Sequence, residues 1–300
     1  MVNVIAEIQK RFNLSTLVEF SAGQGGLSRA LITTPDAVVE IYLHGAHVTR
    51  FEPTGQKPVL WMSAKSLFQA DKPIRGGVPI CFPWFGPRAE GASSPVHGFA
   101  RILEWSVESV QRTADGAAIT LGLDANEQTK KWWPHEFSAR YEIRVGRQLH
   151  LNLRVTNRGQ EAFSFEEALH SYFTVGDARR IRITGLEGTT YIDKVDALKR
   201  KVQTGDVTLE AETDRVYVNT RAACAIEDPV VGRRVAINKA GSDATVVWNP
   251  WIAKSKAMAD FGDDEWAGMV CVETVNAGEN QITLQAGQTR EMSAGISCII

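Results

Sequence analysis

A histidine and a carboxylate about a hundred residues apart are the titratable side chains best placed to do chemistry in this sequence. His170 lies in the segment Ala-Leu-His-Ser-Tyr-Phe at residues 168–173, and Glu273 lies in Met-Val-Cys-Val-Glu-Thr at residues 269–274. Both segments alternate as strands do, so each of these side chains points to one side of a pleated sheet. Such a mounting would present a general acid and a general base to a cleft.

Each of these two side chains also has a purely structural interpretation. A histidine in a strand is commonly a half-buried residue that makes a hydrogen bond. An acid in an apolar strand can be half of a buried salt bridge. Glu273 indicates function more strongly than His170, because an unpaired charge within an apolar strand would be costly.

Two arginines accompany a stretch rich in glycine and proline. Arg75 directly precedes Gly76 and Gly77, several prolines follow, and Arg101 closes the segment. These residues exclude a regular helix or a central strand and predict a shaped loop. Guanidinium groups bind phosphate or carboxylate through paired hydrogen bonds, so two of them in one pocket would select a dianion. The alternative is a pair of ordinary surface arginines.

The remainder of the chain has the pattern of short strands separated by turns. Runs rich in Val, Ile, Thr and aromatic residues occupy residues 37–42, 117–123, 137–145, 148–156, 230–237 and 244–248. Turn residues at 145–148 and 157–160 predict hairpins and therefore a mainly antiparallel sheet. Helical spacing is limited to residues 3–12 and a short helix or structured loop at 126–133. The pattern predicts one all-β domain over residues 1–300, a large antiparallel β-sandwich with a few short helices.

Composition and charge narrow the classes of partner. The chain of 300 residues carries a net charge of −2, which provides no field to recruit nucleic acid or an anionic membrane. No apolar run approaches the roughly 18 residues of a membrane span, and the first residues lack the apolar block of a signal peptide. We therefore expect a cytoplasmic protein that binds neither nucleic acid nor membrane.

The four cysteines are scattered along the chain without a Cys-x-x-Cys pair. They are Cys81, Cys224, Cys271 and Cys298, and all but Cys224 lie in apolar stretches. This pattern predicts buried thiols rather than disulfides or a zinc site.

Seven motifs together resemble those of the glucose-6-phosphate 1-epimerases, also called hexose-6-phosphate mutarotases. The motifs are residues 74–86, 97–101, 168–173, 185–194, 213–217, 247–251 and 258–276. The likeness runs in order over most of the chain, and it is specific because separate motifs agree. It implies a galactose-mutarotase-like β-supersandwich and an isomerase that interconverts the α and β anomers of glucose 6-phosphate and related aldohexose 6-phosphates.

The resemblance also implies roles for individual residues. It makes His170 and Glu273 the catalytic pair, and it makes Arg75, Arg101, Asp214 and His97 substrate contacts. Val96, directly before His97, departs from the family pattern, because members of the family often carry glutamine there. An apolar side chain cannot make that polar contact, which affects substrate preference more than reaction type.

The reaction implied by the resemblance needs one acid and one base. A proton must reach the ring oxygen while another leaves the anomeric hydroxyl, and ring closure reverses both transfers. We expect protonated His170 to donate and ionised Glu273 to accept. Arg75 and Arg101 would anchor the phosphate, and Asp214 would fix sugar hydroxyls. We expect no metal or organic cofactor, and a monomer that acts on a small-molecule hexose 6-phosphate.

Three other functions stay open at this point. An aldose 1-epimerase of free sugars would use the same pair without needing a 6-phosphate or both arginines. A non-catalytic carbohydrate-binding protein would use aromatic residues such as Trp84, Trp248 and Trp251 but not the acid–base pair. A glycosidase usually has two carboxylates flanking the scissile bond, whereas the pair here is a histidine with a glutamate.

Overall fold

Antiparallel β-structure dominates the computed structural model, which describes residues 2–12, 17–88 and 94–299. Within these residues the chain forms 22 β-strands, three α-helices and four short 3-10 helices. The first strands are β1 (Val18–Ala22), β2 (Ser28–Thr33), β3 (Ala37–Tyr42), β4 (His47–Pro53), β5 (Ile80–Cys81), β6 (Ser106–Thr113), β7 (Gly116–Asp124), β8 (Phe137–Val145), β9 (Leu149–Asn157), β10 (Phe163–Phe165) and β11 (Glu167–Leu169). The later strands are β12 (Tyr172–Thr174), β13 (Arg182–Thr184), β14 (Thr190–Asp193), β15 (Lys199–Val202), β16 (Thr213–Tyr217), β17 (Cys224–Asp228), β18 (Arg233–Ala240), β19 (Ala244–Asn249), β20 (Met269–Asn276), β21 (Ile282–Leu284) and β22 (Thr289–Ile299).

The helices are short, and two of the three α-helices lie where the sequence pattern places them, whereas α3 was not predicted. The α-helices are α1 (Val2–Arg11), α2 (Glu127–Trp132) and α3 (Trp251–Ala257). The side chain of Asn126 caps α2 by accepting hydrogen bonds from the backbone N–H groups of Gln128 and Thr129. The 3-10 helices are Gln24–Gly26, Ala100–Ile102, Glu265–Gly268 and Gly278–Asn280. No helix in the described ranges combines the length and apolarity that crossing a membrane would require.

Two eight-stranded sheets form the sandwich. One has the order β15-β14-β16-β19-β20-β11-β5, with β12 also paired to β20, and the other has the order β13-β17-β18-β22-β9-β8-β7-β6. A four-stranded sheet, β1-β2-β3-β4, and the pair β10-β21 complete the strand pairings. The hairpin at residues 145–148 connects β8 to β9 as predicted. The hairpin predicted at residues 157–160 is wrong, because β10 pairs with β21 and not with β9. The predicted all-β antiparallel sandwich with a few short helices is confirmed.

Most strand limits agree with the alternation in the sequence, and one does not. The prediction began β18 at residue 230, whereas the strand begins at Arg233. The carboxylate of Asp228 accepts hydrogen bonds from the N–H groups of Val230 and Val231, which bends the chain into a turn. Gly232 then adopts a φ of 73°, so the apolar residues at 230 and 231 belong to this turn.

The central strand β20 separates two apolar clusters. Val270 and Val272 point into the large core, which contains residues of both eight-stranded sheets. Cys271 points to the opposite face, where it joins a smaller cluster that includes Tyr172 and Trp248. Every residue of β20 is buried, so any polar side chain on this strand is withdrawn from water.

A buried acid in this sheet makes stability depend on pH. Glu167, at the start of β11, is fully buried, and burial raises its pKa to about 7 although Asn276 and Arg290 oppose the shift. Its Oε1 accepts a hydrogen bond of 2.9 Å from Asn276 Nδ2, whereas no partner of Oε2 lies among the described residues. Glu167 therefore holds a proton in the native protein at pH values where the unfolded chain has released it.

Replacing this acid by its amide should stabilise the protein at alkaline pH. Between its ordinary pKa of 4.5 and about 7, the native state binds the Glu167 proton and the unfolded state does not. The free energy of unfolding therefore falls with rising pH in this range, by up to about 3 kcal/mol from this group. In urea unfolding at pH 5 to 8, Glu167→Gln should lose that slope and exceed the parent in stability above pH 7. The control is Glu161→Gln, at an exposed position, which should keep the slope of the parent. If the free energy of unfolding of Glu167→Gln falls with pH as steeply as that of the parent, the raised pKa of Glu167 is contradicted.

Candidate active site

His170 lies in a break between two strands rather than within one strand, which corrects the predicted continuous run. β11 and β12 both pair with β20, and the register is the same on either side of the break. His170 N–H donates instead to the carbonyl of Pro79, at 3.1 Å, and Ser171 N–H donates to Leu169 O, at 2.9 Å. The preserved register places His170 opposite Glu273, and Nε2 of the histidine is 3.5 Å from Oε1 of the carboxylate.

Asp214 and Glu273 lie on one face of this sheet, the face that His170 also meets. Asp214 on β16 pairs with Trp248 on β19, and Trp248 pairs with Cys271 on β20. Cys271 pairs in turn with Tyr172, and Glu273 follows Cys271 by two residues, so all have the same orientation. The His170 ring stacks on that of Tyr172, with the centroids 4.7 Å apart.

Glycine backbone geometry shapes the loop that carries Arg75. Gly76 and Gly77 have φ values of 112° and 59°, and a Cβ on either would collide with a carbonyl oxygen of a neighbouring segment. The buried ring of His47 hydrogen-bonds to the carbonyl of Gly76 through Nε2, at 2.7 Å. The shaped loop predicted from the sequence is confirmed, and His47 fixes its conformation.

Arg75 is held by two side chains that the sequence analysis did not single out. Its Nε and Nη2 donate to the carboxylate of Asp260, at 3.1 and 3.2 Å, and Nη1 donates to the hydroxyl of Tyr172, at 3.0 Å. Burial alone would lower the pKa of Arg75, but Tyr172 and Asp260 raise it. A guanidinium has five N–H donors, so two remain for a ligand.

Arg101 is buried and forms no ion pair with a carboxylate of the described residues. It lies on the 3-10 helix Ala100–Ile102, and its Nη2 donates to the carbonyl of Val96, at 2.6 Å. Its Nε is buried and has no hydrogen-bond partner among the described residues. Burial, together with the charge of Arg75, lowers the pKa of Arg101. Val96 is 48% exposed, and it contacts Arg101 through its backbone carbonyl oxygen.

His97 contacts His170 and Phe85 through its aromatic ring. Its ring centroid is 5.7 Å from that of His170 and 4.8 Å from that of Phe85. Its Nδ1 accepts the N–H of Gly86 at 3.1 Å, which leaves the proton of a neutral ring on Nε2. Burial and the charges of Arg101, Lys194 and Arg75 lower the pKa of His97, so the ring is neutral.

A lysine that received no role from the sequence lies beside Asp214. Lys194 Nζ is 3.7 Å from Asp214 Oδ1 and 5.0 Å from the centre of the Phe85 ring. Burial raises the pKa of Asp214, and the charge of Lys194 partly opposes the rise. Lys194 ends the motif at residues 185–194, and Asp260 lies in the motif at 258–276. Their contacts in the folded structure, rather than their positions in the sequence, show that Lys194 lies beside Asp214 and that Asp260 pairs with Arg75.

The electrostatic surroundings of the facing pair, His170 and Glu273, shift both pKa values towards the uncharged forms. Burial raises the pKa of Glu273 well above its ordinary value, and the charge of Asp214 adds to the rise. Burial lowers the pKa of His170, and His97, Arg101 and Arg75 add to the decrease. Both shifts favour the neutral forms, so in the unliganded pair they favour a proton on Glu273 beside a neutral imidazole.

The thiols are free, and one of them joins the facing pair. Cys81, Cys224 and Cys271 are buried as predicted, and Cys298 is half-buried. The donor atoms of His170, Cys271 and Glu273 all lie within 4.8 Å of one another. The sequence analysis did not associate Cys271 with the other two residues.

A large surface groove lies elsewhere, along the second eight-stranded sheet. It has a volume of about 1270 Å³, and both signs of charge line it, including Asp115, Glu142, Arg112 and Arg144. The mixture of charges does not select an ionic ligand of either sign. The convergent groups around His170 and Glu273 are the better candidate active site.

Antiparallel sheets in this arrangement form the fold of the galactose-mutarotase-like proteins, as the match to the crystal structure of such a protein from Lactobacillus casei shows (17% identity, TM-score 0.72, covering 90% and 100% of the two chains). The chain belongs to the aldose 1-epimerase family, whose family model matches residues 29–297.

Individual relatives are similar over most of their length. A protein of Escherichia coli named "Putative glucose-6-phosphate 1-epimerase" is 40% identical over 256 residues, which are 85% of each chain. A protein of Cenchrus ciliaris with the same name is 36% identical over 285 residues, 91% of this chain and 85% of that one. The crystal structure of a "putative mutarotase" from Salmonella typhimurium superposes with a TM-score of 0.89 at 33% identity, covering 97% and 99% of the two chains. The resemblance inferred from the motifs is confirmed.

Proposed function

We propose that this protein is a hexose-6-phosphate mutarotase that interconverts the α and β anomers of glucose 6-phosphate and related aldohexose 6-phosphates. The observation that carries the proposal is the placement of His170 opposite Glu273, 3.5 Å apart, within reach of the charges of Arg75 and Arg101. The names of the Escherichia coli and Cenchrus ciliaris relatives support the choice of glucose 6-phosphate.

Ring opening uses the facing pair as acid and base. In the reacting complex, His170 donates a proton to the ring oxygen and Glu273 accepts the proton of the anomeric hydroxyl. The bond between the anomeric carbon and the ring oxygen then breaks and leaves an open-chain aldehyde. Rotation of the aldehyde and closure on its other face reverse both transfers, so the pair returns to its starting state.

The substrate phosphate supplies the charge that prepares the pair for this reaction. In the unliganded site, Arg75 and Arg101 help to keep His170 neutral. A dianion beside the two guanidinium groups offsets their field and favours the imidazolium. The shared proton then moves from Glu273 to His170, which produces the acid and the base that ring opening needs.

Arg101 has the greater free capacity to bind the phosphate. Asp260 and Tyr172 use three of the five donors of Arg75, whereas within the described ranges Arg101 donates to one partner, the carbonyl of Val96. A buried guanidinium without a carboxylate gains most from a dianion, because it has no other counter-charge. Lys194 supplies a third positive charge close to His97.

The acid and base roles are tested by replacing each residue with its uncharged isostere. We expect His170→Asn and Glu273→Gln each to slow anomerisation of glucose 6-phosphate by about 10²–10⁴-fold, the usual contribution of general acid–base catalysis. The measurement is exchange NMR of the anomeric protons, with the uncatalysed rate subtracted.

Folding and binding of these variants are checked separately, by near-UV circular dichroism and by calorimetric binding of glucose 6-phosphate. Near-normal anomerisation in either folded variant would contradict the proposed roles. Binding of the sugar phosphate by the parent protein without any acceleration would identify a non-catalytic carbohydrate-binding protein.

The phosphate anchor is tested by removing the charge of Arg101. Arg101→Met should lower kcat/KM for glucose 6-phosphate by about tenfold to a hundredfold, since a hydrogen bond to a charged group contributes roughly 1.5–3 kcal/mol. Exposed Arg158→Met is the matched control. Lys194→Met should lower kcat/KM for glucose 6-phosphate by a smaller factor, because Lys194 is more exposed to water than Arg101.

Selectivity between sugars separates this proposal from a free-sugar aldose 1-epimerase. The parent should accelerate glucose 6-phosphate far more than glucose, and Arg101→Met should reduce that ratio. Equal acceleration of both sugars by the parent would contradict the anchor and favour the free-sugar enzyme.

A further inference from the structure

Three metal-binding side chains converge on the candidate active site. Cys271 and Glu273 are two residues apart on β20 and share one face, and His170 lies opposite Glu273 across the strand break. All three side chains are buried, with exposed fractions of 7% for His170, 0% for Cys271 and 2% for Glu273. Buried Glu273 Oε2 and His170 Nδ1 have no hydrogen-bond partner in the described part of the chain. The mechanism proposed above makes no use of the thiol.

The spacing of the donor atoms is close to that of a zinc site. Zinc binds nitrogen and oxygen at about 2.0–2.2 Å and sulfur at about 2.3 Å in a tetrahedral arrangement. Tetrahedral donors at these bond lengths are separated by about 3.3–3.7 Å. His170 Nε2 and Glu273 Oε1 already meet this separation at 3.5 Å. All three donor atoms lie within 4.8 Å, so the thiol needs a shift of at most about 1 Å to reach it.

The chemistry of the donors selects the class of ion. Thiolate and imidazole are borderline or soft ligands that favour zinc, whereas magnesium and calcium prefer oxygen. The ligating thiol and carboxylic acid must lose their protons, so a divalent ion enters in exchange for protons. Such an exchange leaves the net charge of the site unchanged, and the nearby arginines then do not repel the ion as a new charge.

We propose that His170, Cys271 and Glu273 form a zinc site whose occupation reversibly inhibits the enzyme. The ion would take the imidazole nitrogen and the carboxylate that ring opening requires, with the fourth position open to water. Binding of the metal follows from the three ligands alone, whereas inhibition of anomerisation rests on the proposed function. Cys271 supplies the thiolate that gives zinc its advantage over magnesium.

Binding is tested without turnover by using Co²⁺ as an optical probe of the full-length protein. Tetrahedral Co²⁺ bound to a thiolate gives visible d–d bands and a sulfur-to-cobalt charge-transfer band. We expect both in the parent, with displacement by Zn²⁺ and removal by EDTA. Cys271→Ser should lose the charge-transfer band and weaken Zn²⁺ at least about tenfold, because a neutral hydroxyl is a poor zinc ligand.

A second buried thiol on the same sheet provides the matched control. Cys81 on β5 is buried near the site and belongs to the same small apolar cluster as Cys271. Cys81→Ser should keep the cobalt spectrum and the zinc affinity of the parent. Inhibition is measured for each variant relative to its own rate without metal, with Mg²⁺ as the ion that should not inhibit. Glucose 6-phosphate should raise the zinc concentration required for half-inhibition.

The outcomes separate the metal site from the proposed function. The proposal is overturned if the parent shows no charge-transfer band, or if Cys81→Ser rather than Cys271→Ser abolishes it. Equal zinc inhibition of the parent and Cys271→Ser would also overturn it. A parent that binds Co²⁺ through Cys271 but does not accelerate anomerisation would retain the metal site and refute the proposed function alone.

Discussion

The withdrawal of His170 and Glu273 from water is the constraint on which the rest of the site depends. Removing both charges from water is costly, so burial raises the pKa of the acid and lowers that of the histidine. A facing acid and base with one shared proton avoid that cost because both can be neutral. The break between β11 and β12 makes the contact, since it frees His170 from the ladder without changing the register.

The positive charges around His170 and Glu273 are only partly neutralised by neighbouring carboxylates. Asp260 neutralises Arg75, and Asp214 has Lys194 beside it, whereas no carboxylate accompanies Arg101 among the described residues. Under the proposed function, a dianionic phosphate would complete this arrangement and would change the pKa values that burial has set. Binding of the substrate and preparation of the acid and base would then be one event, which would give the enzyme a physical reason to prefer phosphorylated sugars.

Local patterns in the sequence predicted the sheets, the orientation of His170 and of Glu273 to one side of a sheet, and the glycine-shaped loop. Because side chains alternate along a strand, His170 is expected on the same face as Tyr172, and Glu273 on the same face as Cys271, whichever strands lie beside them. The strand break at His170 was not predictable, because it depends on a hydrogen bond to Pro79 from a distant loop. The partners of Arg75 were equally out of reach, since Asp260 is 185 residues away. The position of the shared proton required the burial and the charges of the folded site.

The location of that proton is the most direct test of the account. NMR of protein labelled with ¹⁵N-histidine should show a neutral His170 imidazole at pH 7 in the unliganded protein. Adding 1,5-anhydroglucitol 6-phosphate, which has no anomeric hydroxyl and cannot react, should convert it to the imidazolium, and unphosphorylated 1,5-anhydroglucitol should not. An imidazolium in the unliganded protein, or a ring that stays neutral with the phosphate bound, would contradict the account.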